Sequence, residues 1–366
     1  MEDKNRPDVM IIFVIVTLLL IGLIMILSAS SIRSYNIFGD SYYFFKQQLI
    51  SAVIGLGAMI FFMNIDYHIY QRYSKLILLF TIAILAAVLI PGIGQVAGGS
   101  RRWIGIGPIG LQPSELAKLG VVIYLSHYLS RKKDRLRSFW QGVVPPVIVL
   151  GVIFGLIILE PDLGTAATIG GTFFIMFFAS GMRISHLFYL TGAAIPLMVY
   201  FIFSEEYRRE RLFAFINPWS DPLDSGYHII QSLLALGSGG LFGVGLGNSR
   251  QKFLYLPEPG TDFIFSVLGE EFGFIGTLLV LTLYVLLGWR GLKTALSVPD
   301  IFGSMLAIGI TSMIILQAFI NIGVVTSSIP VTGITLPFIS YGGSSLVIML
   351  SGIGILLNIS RHSLKD

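Results

Sequence analysis

The chain has 366 residues, of which 54% are hydrophobic and only 12% charged, and its mean hydropathy is +0.82. A soluble domain carries roughly a quarter charged residues, so this composition excludes an ordinary water-facing surface and fits the bilayer as solvent. Cysteine is absent, which removes disulfides and thiolate chemistry. The net charge of +4 is explained by membrane topology, and no nucleic-acid partner is expected.

Windows able to cross about 30 Å of hydrocarbon fall at 9–29, 44–63, 75–91, 114–130, 143–160, 163–181, 184–203, 263–289, 302–325 and 340–359. They predict an all-α polytopic membrane protein of about ten transmembrane helices, forming one membrane domain over 1–366. The first window is followed by Ser28-Ala29-Ser30, which imitates a signal-peptidase site. Its apolar run exceeds the roughly 7–15 residues of a signal core, so it reads as an uncleaved span. The fourth window is the least apolar, because it contains Glu115, Lys118 and His127.

Lys and Arg sort by side. With the N-terminus inside, inner segments hold Lys4, Arg6, Arg72, Lys75, the cluster Arg131, Lys132, Lys133, Arg135 and Arg137, then Arg183, Arg290, Lys293, Arg361 and Lys365. Short outer loops hold only Arg33, Lys46, Arg101 and Arg102. That asymmetry puts both termini in the cytoplasm. Carboxylates gather towards the opposite face. Glu115, Glu160, Glu270 and Glu271 fall at or inside helix ends, where an ionisable group needs a partner or a polar cavity.

In chain order, the first outer motif is Arg101-Arg102-Trp103-Ile104, followed by Gln112-Pro113-Ser114-Glu115-Leu116-Ala117-Lys118. Glu115 and Lys118 share a helix face, either as a mutually neutralising pair or with Lys118 turned to an anionic substrate. Glu160-Pro161-Asp162-Leu163-Gly164-Thr165 forms a hairpin, in which Asp162 is a cap or a site residue. The large outer segment 204–262 predicts a short amphipathic piece at 227–234. A glycine-rich stretch over 237–247 follows, lacking the ending of a phosphate loop, so a re-entrant turn is expected. The five histidines have no metal-ligand spacing.

Pro257-Glu258-Pro259-Gly260-Thr261-Asp262 is a rigid turn immediately before the eighth span. Asp262 either caps that helix or presents a carboxylate that takes a proton from a substrate hydroxyl. Last, 330–345 is uncharged and rich in Gly, Pro and hydroxyls, which suits a re-entrant loop.

Together these segments resemble the SEDS family (shape, elongation, division and sporulation), which includes FtsW, RodA and stage V sporulation protein E. The likeness runs in order through Gly99-Ser100-Arg101-Arg102-Trp103, Gln112-Pro113-Ser114-Glu115, Pro161-Asp162-Leu163-Gly164-Thr165, Asn217-Pro218-Trp219, the 226–275 block and 321–345. Residues 245–252 and 261–263 look more like the FtsW and sporulation branch than RodA. The resemblance implies a glycosyltransferase that polymerises lipid II into peptidoglycan, for the septum or the spore cortex. A class B penicillin-binding protein is the implied partner. It makes Asp262 the essential aspartate and puts Trp103, Glu115, Lys118 and Asp162 around an outer cavity, with Arg101 or Arg102 as further cations for the pyrophosphate. No resident cofactor is expected; a divalent cation, Mg or Mn, stays open as a companion of the pyrophosphate. Two departures stand out: Glu160 where the family commonly has Gln, and Ser327-Ser328 in place of a usual glycine. The alternatives are a lipid II flippase, disfavoured by charges lying towards one face and by the lack of an inverted repeat, and a non-catalytic scaffold.

Overall fold

A computed structural model of the chain describes residues 6–97, 100–106, 109–131, 138–253 and 255–363. Helices follow the ten apolar windows: α1 Val9–Phe38, α2 Tyr43–Met63, α3 His68–Val88, α4 Pro113–Arg131, α5 Val144–Leu159, α6 Leu163–Ala179, α7 Ile184–Phe203, α10 Ile264–Ser297, α11 Ile301–Val325 and α12 Gly343–Arg361. Between them, the segment 204–262 carries two shorter helices, α8 Glu206–Ile216 and α9 Tyr227–Ser238. Among the described residues, eight helices are long and apolar enough to cross a membrane. The other two of the ten are α4, which carries Glu115 and Lys118, and α6, which has 17 residues.

The connection between α3 and α4 folds into a small antiparallel sheet, ordered β1 Gly94–Ala97, β2 Ser100–Ile106 and β3 Ile109–Leu111. Hydropathy windows do not register strands this short. The run Arg101, Arg102, Trp103, Ile104 does not alternate polar and apolar residues either, so it carries no strand signal.

α11 and α12 form the packed centre, where helices approach on small residues. Gly354 of α12 lies against the Met59 backbone of α2, so closely that a Cβ would be 2.4 Å from the Met59 carbonyl oxygen. By contrast α7 buries only His186 and Leu187 and turns the rest of its surface outward.

One end of the bundle is tied by polar contacts. Asp8 caps α1 and pairs with Arg290 at 2.5 Å, while its N–H donates to Ser360 Oγ at 3.0 Å. Asn358 accepts from Tyr67 N at 3.0 Å, and Asp300 both caps α11 and accepts from the Tyr67 hydroxyl. The ends of α4, α6 and α10 and the start of α11 line one cavity here. Arg6, Arg72, Lys75, Arg131, Arg183, Arg290, Lys293 and Arg361 therefore gather at this end. Lys4, Lys132, Lys133, Arg135, Arg137 and Lys365 lie outside the described residues.

α10 is broken. Gly273 has φ 66° and ψ −163°, a conformation open essentially to glycine alone. The backbone groups freed by the break are taken up by the glycine-rich stretch after α9. Val244 N and Gly245 N donate to the Glu270 and Glu271 carbonyls at 3.0 Å, while Phe274 N and Ile275 N donate to the Gly240 and Leu241 carbonyls at 2.9 and 3.2 Å. Irregular backbone is tolerable in apolar surroundings when protein satisfies it in this way, and the glycine-rich stretch 237–247 turns tightly against the break in α10.

A Cβ at Gly273 would lie 2.4 Å from Gly243 N and 2.6 Å from the Leu241 carbonyl oxygen. Gly273→Ala is expected to cost at least about 2 kcal/mol, from strain and lost contacts together, read as a lower melting temperature of the purified protein.

Candidate active site

At the opposite end from the cation-rich face, the turn 257–263 brings Asp262 to the start of α10. Proline at 257 and 259 restricts the backbone. The Glu258 carboxylate pairs with Arg33 of α1 at 2.5 Å and accepts from Thr261 Oγ1 at 3.2 Å. Three further bonds hold the main chain. Asn321 Nδ2 of α11 donates to the Asp262 carbonyl at 2.8 Å and to the Ile334 carbonyl at 2.7 Å. Ser340 Oγ donates to the Thr261 carbonyl at 2.6 Å, and Tyr341 N to that of Gly260 at 2.8 Å. The turn is thus fastened to the loop 326–342, which joins α11 to α12.

The Asp262 side chain is left over. α10 begins without a side-chain cap, so the capping alternative does not describe this residue. Its half-buried carboxylate makes no hydrogen bond or ion pair among the described residues. Gly333 lies opposite, where a Cβ would stand 3.7 Å from Oδ2. Burial pushes the acid up to about 6; the Glu258 charge adds to this, and Arg211 and Arg102 oppose it.

The α5–α6 hairpin lies near enough for Asp162 to act on the charge of Asp262. Asp162 is buried and satisfied: it accepts from Thr165 N at 3.0 Å, Thr165 Oγ1 at 2.8 Å, Gln112 Nε2 at 3.3 Å and Ser114 Oγ at 3.4 Å. It caps α6 and ties that cap to the start of α4. Arg102 reaches from β2 to the same hairpin, donating from Nε to the Glu160 carbonyl at 2.6 Å and from Nη2 to that of Pro161. Its Nη1 makes no hydrogen bond among the described residues. Trp103, on the other face of the strand, lies against Gly110 of β3. Arg101 is half-buried and has no hydrogen bond or ion pair among the described residues.

Glu160 is fully buried, and neither of its oxygens has a partner among the described residues. Burial first, and the Asp162 charge second, push it up to about 8 against the opposing Arg102. Both causes favour its protonated form, which would resemble the uncharged Gln the family commonly has here. The second departure is visible in the backbone: Ser327 has φ 53°, a left-handed conformation that costs a non-glycine residue roughly 1–2 kcal/mol.

Behind the site, Lys118 is buried and bonded from two sides. Its Nζ donates to Glu115 Oε1 at 2.8 Å and to Gln317 Oε1 at 2.5 Å, and Gln317 Nε2 continues to the Thr335 carbonyl at 3.0 Å. A second buried pair, Lys252 with Glu271 at 3.0 Å, is shared with Ser28 of α1. Glu270 accepts from Ser249 Oγ and from the Arg250 and Gln251 amides at 2.9 and 3.3 Å, fixing the start of the loop that leads to Asp262.

Of the predicted residues, the structure brings Asp262, Asp162 and Arg102 into one region, with Glu115 and Lys118 one layer deeper. Sequence reasoning missed Gln317 and Asn321. Their signal was two amides four residues apart in an otherwise apolar window, where an intramembrane polar side chain marks function or assembly. Lys252 and Arg211 carried no such signal, because a solvated outer loop would hold them equally well. Among the described residues no group of three His, Asp or Glu side chains could hold a metal ion.

Known proteins match this chain over nearly its whole length. The family model FTSW_RODA_SPOVE, described as Cell cycle protein, matches residues 8–365. The chain is 51% identical over 360 residues to stage V sporulation protein E of Bacillus subtilis (strain 168), covering 98% of both. It is 42% identical over 362 residues to the probable peptidoglycan glycosyltransferase FtsW of Geobacter metallireducens, covering 99% of this chain and 96% of that one. Among solved structures it superposes on a chain of a peptidoglycan synthase complex, described as coordinating polymerization and crosslinking, with a TM-score of 0.80, 28% identity and coverage of 98% and 99%. The RodA crystal structure of Thermus thermophilus gives a TM-score of 0.72 at 29% identity, covering 98% of each chain. A match over nearly the whole length, with the helices in the same arrangement, assigns this chain to the FtsW, RodA and SpoVE family of multi-pass cytoplasmic-membrane proteins.

Proposed function

We propose that this chain is a peptidoglycan glycosyltransferase that polymerises lipid II at the outer face of the cytoplasmic membrane, with Asp262 as general base. The observation that supports this best is a carboxylate whose main chain is held by three bonds while its own oxygens are free. A group held for structure would be spent on a cap or an ion pair, as Asp162 and Glu271 are.

The orientation rests on charge. The cation-rich end faces the cytoplasm by the positive-inside rule, so Asp262, at the other end, meets substrate on the outer side. There the Asp262 carboxylate takes the proton of the acceptor sugar's 4-hydroxyl. The oxygen attacks the donor's anomeric carbon from the face opposite the diphosphate. The carbon–oxygen bond to the diphosphate breaks with inversion, and undecaprenyl diphosphate leaves with the electron pair. Arg102, through its unspent Nη1, and Arg101 are the cations of the β2 strand available to the developing charge. Glu115 and Lys118 act from behind, through Gln317 on the Thr335 loop. A divalent cation taking part in the reaction would accompany the diphosphate as part of the substrate.

The partner is a class B penicillin-binding protein that cross-links the strands, by analogy with the coordination of polymerization and crosslinking described for the similar synthase complex. The likeness to both FtsW and stage V sporulation protein E leaves septum and spore cortex as the two settings.

Purified Asp262→Asn protein, assayed for glycan polymer from lipid II, is expected to lose activity by at least about a hundredfold. Undiminished polymer from a folded variant would remove Asp262 from the chemistry. Transport of lipid II by wild-type proteoliposomes without any polymer would instead favour a flippase.

Two pH effects follow from the raised acid of Asp262. Polymerisation should climb as pH rises through about 6, where the base ionises, and then level off. The folded state holds this proton more tightly than the unfolded chain, whose Asp titrates near about 3.9. The group therefore favours folding at pH below that value, and the contribution is lost as pH rises through about 6. Asp262→Asn should accordingly melt no lower than wild type at pH 7.

Lys118→Met would leave Glu115 charged and buried, at a cost of about 3–5 kcal/mol. The double variant E115L/K118M should regain much of that loss in thermal unfolding.

A further inference from the structure

The helix α8 carries three arginines, Arg208, Arg209 and Arg211, in three different situations. Arg208 is buried and bonded from Nε and Nη1: it donates to the Tyr207 hydroxyl at 2.8 Å, to the Phe201 carbonyl at 3.0 Å and to Ser204 Oγ at 3.4 Å, closing the end of α7. Arg209 is exposed. Arg211 is held but unspent. Its guanidinium lies over the Tyr207 ring, 5.7 Å from the centroid, and Nη1 makes one long bond of 3.4 Å to the Val331 carbonyl. It forms no ion pair among the described residues, although α8 itself carries Glu206 and Glu210.

Its position relative to the site is the second observation. Val331 is two residues from Gly333, which faces the Asp262 carboxylate. Arg211 acts on the charge of Asp262 more than Arg102 does. It also acts on His228, whose ring stacks on Phe263, the residue after Asp262, at 6.0 Å. A guanidinium fixed by a ring and a carbonyl, beside a carboxylate it does not pair with, has most of its donor fork free. That fork matches the oxygens of a phosphate group.

We propose that Arg211 binds the diphosphate of the polyprenyl-linked substrate beside Asp262. This rests on the reading of Asp262 as the base, and it adds a cation from the 204–262 segment to those of the β2 strand. Arg211 would hold the diphosphate through substrate binding and departure, so it governs affinity for the lipid diphosphate, whereas Asp262 governs proton removal.

The test measures binding of radiolabelled undecaprenyl diphosphate to the full-length protein in nanodiscs. Arg211→Gln should weaken binding about tenfold or more, and Arg211→Lys, which keeps the charge without the fork, should weaken it less. Arg209→Gln should bind as wild type does, and Asp262→Asn at least as tightly. Wild-type affinity in a folded Arg211→Gln protein overturns the inference. Should that variant fail to fold, wild-type affinity in Arg211→Lys overturns it equally. Polymer made by Asp262→Asn would instead sink the reading of the base and leave the binding result standing.

Discussion

One side-chain amide connects the two loops on which this site depends. Asn321, buried on α11, donates to the carbonyls of Asp262 and Ile334, and so joins the turn that carries the carboxylate to the loop that faces it. Ser340 and the Tyr341 amide repeat the connection on either side. Because the constraint is applied to the main chain, the acid can be placed accurately without being neutralised. A carboxylate positioned through its own oxygens would be stable and chemically idle, as Asp162 illustrates a short distance away.

The same economy explains how the other buried ionisable groups are handled. An uncompensated charge in apolar surroundings is costly, and three remedies appear. Lys118 and Lys252 are matched with Glu115 and Glu271 and given amide or hydroxyl partners besides. Glu270 is surrounded by donors from the 249–251 turn. Glu160, with no partner among the described residues, is shifted by burial towards its protonated form. Asp262, half-buried, and Arg211, exposed, use none of these remedies among the described residues. In the reaction proposed above, unspent charge belongs to the reacting surface and spent charge to its support.

The break in α10 serves that arrangement. A continuous helix could not receive the Gly240–Gly245 backbone. The opening at Gly273 lets the stretch after α9 dock against α10, and the neighbouring Glu270 and Glu271 then anchor the chain that continues to the turn 257–263. The segment 204–262 is in this way tied to the bundle at both its glycine stretch and its final turn, and it is far from a solvated loop.

The sequence alone determined that this is a membrane bundle, where its ten apolar windows lie, and that cations collect on one side, because transfer free energies and the positive-inside bias act residue by residue along the chain. It also singled out Asp262, through the rigid turn and the resemblance carried by its neighbours. Whether that aspartate capped its helix or kept its oxygens unbound, whether Lys118 met Glu115, and whether Glu160 found a partner depended on groups far away in the chain: Asn321, Gln317 and the wall of the 160–162 hairpin. Only the tertiary structure decided these, since hydrogen-bond saturation and desolvation are set by what packs around a group and not by its neighbours in sequence. Arg211 belongs to the same class, because nothing in its local sequence separates it from Arg208, and only the contacts around each reveal which guanidinium is spent.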